Sequence, residues 1–445
     1  MFSLNKWKNG QKWTNWSESY VSYPSMYYAP HTIEEVAQIV KEHALLKRTI
    51  RVTGAAHSFS PVALPEQSAL SLHHMRGLIA VDQEQQTATF WAGTYLYEVG
   101  SMLAQHGFAL SNMGDIQQQT LAGAISTGTH GTGIEFGSFS SMVTSWGFVN
   151  GEGDYIEHER GEDALSESLH VSVGMLGILV KVTLKVVPLY SLAYTSERSN
   201  FYSEVSLLQQ TIRDYRNVEW FYFPGSEHIQ VKKMQAVAPV DQPKLEKFVD
   251  QLKVQALENG VFYIASELCK YMPKASLTVS KLASKVVGGE ERTGKSHEIY
   301  PSPRSVKFVE TEYAIPLSQV EACLEEVHAM FNKQQFDVHF PIEIRTTAGE
   351  AGYLSPTQGQ ESAFIAFHMY KGMNEGPYFD WVHKTMQKYN GRPHWGKQNR
   401  YHKDNIDFYY SNAQTFNEIR KQQDQNDVFL THYFRNIFGE YQINK

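Results

Sequence analysis

RVTGAAHSFSP (51–61) runs from a β-rich entry through small residues into a histidine, His57. Small residues such as Gly54, Ala55 and Ala56 let a backbone turn tightly and come close to a flat or charged partner. An imidazole there, with Ser58 beside it, can be a turn residue, a metal ligand, a base or an attachment point. NMGDIQQQTLAGAISTGTHGTG (112–133) carries Gly114, Gly123, Gly128, Gly131 and Gly133 with Ser126, Thr127, Thr129 and Thr132 between them. Exposed N–H groups and hydroxyls at that density make an anion nest, which reads as a diphosphate-binding loop. The alternative is a glycine-rich surface loop.

Three later stretches carry reactive groups. In DVHFPIEIRTTAG (337–349), Val338, Phe340, Ile342 and Ile344 share one strand face and Glu343 and Arg345 the other. In SAFIAFHMY (362–370), His368 shares a face with Phe364, Ala366 and Tyr370. RPHWGKQNR (392–400) gathers His394, Trp395 and Lys397 around Gly396, a cationic loop able to grip an anion or a developing oxyanion. Taken singly, each reads more readily as something plainer: a surface ion pair worth little, a satisfied core histidine, a solvated loop with a packed Trp.

Other chemistries lack their residues. The 112–133 loop has neither the GxGxxG dinucleotide spacing nor the Gly-Lys-Ser/Thr of a P-loop. There is no HExxH, no metal-triad spacing beyond the isolated His73-His74 pair, and no GxSxG elbow. Cys269 and Cys323 are too few for a disulfide framework or a cysteine-rich zinc site.

The elements that must position these groups are mixed. Thr32-Ile33-Glu34-Glu35 is a capping-box pattern before apolar residues at helical spacing, and 49–53 then reads as a strand, so His57 follows helix, strand and tight loop. Residues 78–82 and 87–93 read as strands, 95–106 as a helix closed by Gly107, and 178–188 as a strand with one buried face. Amphipathic helices are predicted at 243–258 and 316–334, with 281–298 between them as a charged, mobile loop. A domain boundary is placed near Pro188.

The chain of 445 residues suggests two or three domains. Hydrophobic content of 42% and charged content of 20% mark a globular chain, and a net charge of −7 argues against a nucleic-acid partner. The N-terminus has no apolar h-region, and no run approaches the ~18 apolar residues of a membrane span, so a cytoplasmic setting is expected.

The pair of N-terminal stretches, RVTGAAHSFSP and NMGDIQQQTLAGAISTGTHGTG, resembles the FAD domain of the vanillyl-alcohol-oxidase flavoprotein superfamily. The later EIR and PHWGK narrow the resemblance to its sugar-lactone and alditol oxidase branch, D-arabinono-1,4-lactone oxidases above all. It covers essentially the whole chain. It implies an α+β fold: a two-subdomain PCMH-type FAD-binding domain over 1–188, then a cap domain over 189–445 with an antiparallel sheet flanked by helices. The last ~50 residues would pack back on the first domain.

By the same resemblance, His57 carries FAD covalently through the 8α carbon. Gly54, Ala55, Ala56 and Ser58 would flank the flavin; Gly114, Asp115, Gly123, Ser126, Gly128, Thr129 and Gly131 would line it and its phosphates; Gly177, Ile178 and His394 would add contacts. Glu343 and Arg345 would position the sugar, Lys397 would stand near the reacting carbon, and His368 would be the proton acceptor. Tyr370 and Asp115 depart from relatives, which have smaller hydroxyl residues there. Gly114 favours an oxidase, because a bulkier residue shields the flavin from oxygen. The implied reaction is oxidation of a sugar lactone, with dioxygen giving hydrogen peroxide, by a monomer or small homo-oligomer. A polyol substrate, a flavin dehydrogenase with another acceptor, and a flavin-free carbohydrate-binding protein stay open.

Overall fold

The computed structural model describes residues 10–240, 260–301, 306–333 and 335–439; the helix expected at 243–258 lies outside them. Helix Ile33–Leu46 starts where its cap predicts, with Thr32 Oγ1 accepting from Glu35 N at 3.2 Å. Glu35 closes the box one residue early, accepting from His31 N at 2.7 Å. The strand that follows, Ile50–Val52, sits in a small parallel sheet with Met26–Tyr28 and Ser68–Leu70.

Ile178, Val180, Val182 and Leu184 alternate with less buried neighbours along Ile178–Lys185. That strand is the centre of a five-stranded antiparallel sheet, between Val143–Val149 and Thr87–Trp91. These two sheets and the helices on them form the N-terminal part of an α+β fold.

The second part is an eight-stranded antiparallel sheet. Its middle runs Asn217–Tyr222, Ile342–Thr347, Ser362–Tyr370, Phe308–Pro316. The helices Phe201–Asp214, Val320–Asn332 and Gly376–Lys388 bury their apolar stripes on it in one core with Trp220, Ile344 and Phe367. The stretch 281–298 is not a loop: it holds the end of helix Ser276–Val286, strand Glu290–Lys295 and a short helix Ser296–Ile299. Glu290–Lys295 is an edge strand paired to 191–196, a place where charged side chains reach water and protect the edge. The charge that suggested a loop is that of a strand wetted on one side.

The chain returns at its end. Trp395, Tyr410, Phe416 and Phe434 share a core with Phe90, Trp146 and Leu176 of the five-stranded region, and Val428 and Phe429 join a second one with Val36 and Ile50.

Candidate active site

Two cavities of about 970 and 1000 Å³ meet at the loop after Ile50–Val52, and His57, Ser58, Gln119 and Thr127 line both. Joined, they suit an elongated ligand.

One wall of the first is built of small residues, Gly54, Ala55, Ala56, Gly123, Gly174 and Gly177 with Ser126, and larger side chains such as Arg51, Leu72, His73, Tyr95 and Leu179 complete the lining. A Cβ on Gly54 would stand 2.6 Å from Thr120 Oγ1, and one on Gly177 would stand 2.5 Å from Val149 O, so only glycine keeps these walls in place.

The second is charged. Gly114, Asp115, Thr129, Glu343, Arg345, His394 and Lys397 line it, together with Trp16, His130, Glu310 and Glu312. Sheet register makes two clusters. Arg345 is opposite Glu219 on the neighbouring strand, and its Nε donates to Glu219 Oε1 at 3.1 Å. Its Nη2 donates to Glu343 and stands 3.1 Å from Asp115 Oδ2. The acid at 115 is thus one of three carboxylates on one guanidinium. Burial, then the repulsion of Asp115, raises Glu219 to about 7, against the pull of Arg345.

The second cluster centres on Phe308–Pro316, whose alternating Glu310 and Glu312 both reach the cavity. Lys397 Nζ donates to Glu310 Oε2 at 2.6 Å, and His368 Nε2 stands 3.5 Å from its other oxygen. Burial works against the Glu310 charge, but Lys397 and His368 outweigh it and hold the carboxyl at about 2. His130 faces Glu312 at 3.5 Å, and His394 completes a trio within 4.8 Å. His394 Nδ1 accepts from Gly396 N at 2.9 Å, so its Nε2 carries the proton, which suits a carboxylate partner rather than a metal.

Four motif residues line neither cavity. His368 is behind Glu310, with Nδ1 at 3.2 Å from Pro341 O. Gly128 caps helix Leu121–Thr127 at φ +70°, Gly131 has no room for a side chain because a Cβ would lie 2.2 Å from Met113 O, and Ile178 is core. A Cβ on Gly114 would also press on backbone, 2.9 Å from His130 O. Glu219, Glu310, Glu312 and Trp16 were not legible as site residues. The one available signal was ETE (310–312), two acids alternating on an otherwise apolar strand.

Residues 182–437, more than half of the chain, match the sequence model of D-arabinono-1,4-lactone oxidase. The chain belongs to that family. Residues 24–159 match an FAD-binding domain, so the lactone-oxidase family member is an FAD-dependent oxidoreductase. An L-gulono-1,4-lactone dehydrogenase of Mycobacterium tuberculosis is 29% identical over 96% of this chain and 99% of its own. L-gulonolactone oxidase of Mus musculus is 26% identical over 96% and 98%. Among solved structures, cholesterol oxidase from B. sterolicum has the same fold, with TM-score 0.82 at 15% identity over 96% of both chains. No helix among the described residues is long and apolar enough to cross a membrane.

A raised carboxyl is a liability once ionised. Between 4.5 and about 7 the folded state holds a proton on Glu219 that the unfolded chain has lost, so this group lowers stability as pH rises through that window. Glu219→Gln is expected to gain in Tm relative to wild type on going from pH 5 to pH 8. A difference that shrinks or reverses over that interval sinks the assignment.

Proposed function

We propose that the protein oxidises a ring hydroxyl of an aldono-1,4-lactone of the arabinono or gulono type, with FAD in the joined cavities and dioxygen as final acceptor. The observation that carries this is one cavity holding two cations, Arg345 and Lys397, that shares His57, Ser58, Gln119 and Thr127 with a groove whose one wall is built of glycines and alanines. The groove fits a dinucleotide, and the charged end fits a polyhydroxylated ring. FAD supplies the hydride acceptor.

The chain's residues supply the rest. Arg345 and Lys397 orient the substrate hydroxyl and lower its hold on the proton by placing positive charge beside the developing alkoxide. Glu343 fixes Arg345 from the same strand face and takes a neighbouring hydroxyl. The proton leaves toward the carboxylates around Arg345, among which Glu219 binds one near neutral pH. His368, out of the cavity, acts through Glu310 to hold Lys397 in place. Gly114 presents backbone alone to the cavity, which supports dioxygen as acceptor.

His57, at the junction, is the attachment point for the flavin in this reading. Burial first, then Lys397, lowers it to about 4, so the imidazole is neutral and nucleophilic at working pH. Acid precipitation of the yellow protein is expected to leave the colour in the pellet; colour in the supernatant means no covalent link.

A substrate panel in air with peroxide detection tests the reaction: arabinono-, gulono- and galactonolactones against xylitol and sorbitol. Lactones are expected to give peroxide and bleach the flavin without air. Turnover of polyols alone overturns the substrate class, and bleaching without peroxide overturns the acceptor.

A further inference from the structure

We propose that the N-terminal hairpin around Trp16 positions the His57 imidazole for flavin attachment, and that Glu18 latches this hairpin to the cap sheet. The proposal rests on His57 being the tether. Strands Trp13–Thr14 and Val21–Ser22 pair antiparallel, and the loop between them lies on the His57 segment. Two hydrogen bonds bracket the histidine: Trp16 N donates to Ala56 O at 2.7 Å, and Asn15 Nδ2 donates to Ser58 O at 3.0 Å. Ala56 has φ +56°, a left-handed conformation that a non-glycine residue keeps only when its surroundings impose it.

Trp16 also meets the His57 ring, stacked at 5.7 Å and 26° between planes. Its own orientation is fixed by edge contacts to Phe308 at 5.3 Å and Phe59 at 6.1 Å. Asn15 is tied within the loop through Ser17, Ser19 and Tyr20 N. The histidine is thus held by backbone on both sides and by one aromatic face, and it lines both cavities.

The latch is ionic. Glu18, at φ +59°, accepts from both Lys307 and Lys371, which flank the paired ends of Phe308–Pro316 and Ser362–Tyr370. Without the carboxylate these two cations would repel each other. The hairpin therefore joins the loop of the first domain to the sheet that carries Glu310 and His368.

Attachment itself balances simply. A bond forms between an imidazole nitrogen and the 8α methyl carbon; the N–H and one methyl C–H are lost as protons, and two electrons pass to dioxygen, giving hydrogen peroxide. Geometry governs the rate of such a step, since misplacement by about 1 Å can cost ~10²-fold.

The test uses full-length chain made under riboflavin limitation, given FAD, and sampled into trichloroacetic acid to count flavin in the pellet. Trp16→Ala is expected to attach flavin at least ~10-fold more slowly than wild type, and Trp16→Phe, which keeps a ring, to recover most of that rate. Glu18→Gln, a surface change that leaves the fold alone, is expected to slow attachment about threefold and to remove the slowing that added salt causes in wild type. Wild-type rates in both Trp16→Ala and Glu18→Gln overturn the proposal, and Glu18→Gln decides alone if melting shows Trp16→Ala unfolded. A colourless pellet from wild type itself overturns the tether reading, and the proposal with it; His57→Ala gives the reference for that outcome.

Discussion

Arg345→Met is expected to lose roughly 10²–10³-fold or more in substrate-driven flavin reduction, because it removes a charged donor from the point where negative charge develops. Its effect on stability is as large. Asp115, Glu219 and Glu343 are all buried and all face this guanidinium. Taking away a buried partner leaves charge uncompensated at a cost of about 3–5 kcal/mol. In a chain of 445 residues that corresponds to a fall in Tm of about 3–5 °C. The three acids relieve the strain by taking up protons, so the loss in Tm is expected to grow with pH. FAD is expected to stay bound, since Arg345 lines the charged cavity and not the one around Gly54, Gly123 and Gly177. Anaerobic stopped flow and melting curves at pH 5 and 8 check both halves. Reduction at the wild-type rate removes Arg345 from the mechanism, and an unchanged Tm removes the picture of three carboxylates leaning on one cation.

Lys397→Met comes next, with an expected loss of about 10²-fold in kcat and a smaller change in KM. Lys397 is the main support of the Glu310 charge, so the variant also releases that carboxyl upward from about 2. In wild type the Glu310 charge stabilises the fold above the ordinary carboxyl value of 4.5 and is lost as pH falls toward 2. The variant is therefore expected to begin acid unfolding at higher pH than wild type, followed by circular dichroism. A kcat within about threefold of wild type overturns the catalytic role, while an unchanged acid limb overturns the pairing with Glu310.

Much of this site was legible where its logic is local. Glu343 and Arg345 are two apart on one strand, so spacing alone puts them on one face, and the face is the cavity side. The small residues before His57 announce a close approach within a few positions. What spacing does not carry is register between distant strands. Glu219 meets Arg345 across 126 positions, and Glu310 meets Lys397 across 87. Those pairings are set by which strands become neighbours in the eight-stranded sheet, a long-range choice that no window of sequence records. Glycine is ambiguous in another way: Gly123 lines a cavity, whereas Gly131 makes room for a carbonyl, and both are a missing side chain in the same motif. His368 was found on the right strand but one layer back, because alternation gives the face and not the depth. The 281–298 run was misread for the opposite reason, since charge marks contact with water and says nothing about pairing.

The returning tail bears on how such proteins can be recombined. Phe59 N donates to Gly396 O at 2.7 Å and Ser60 Oγ donates to Trp395 O at 2.5 Å, so the loop bearing Lys397 is stitched to the segment bearing His57. Trp395 itself is anchored in one core with Phe90, Trp146 and Leu176, and Ile406, Phe416, Phe434 and Phe438 follow it there. A cut at 188 that exchanged everything after it for a foreign cap would strip the first domain of part of its own interior. Chimeras with relatives of other substrate preference should therefore keep the residues after about 394 together with the N-terminal part whose core they share.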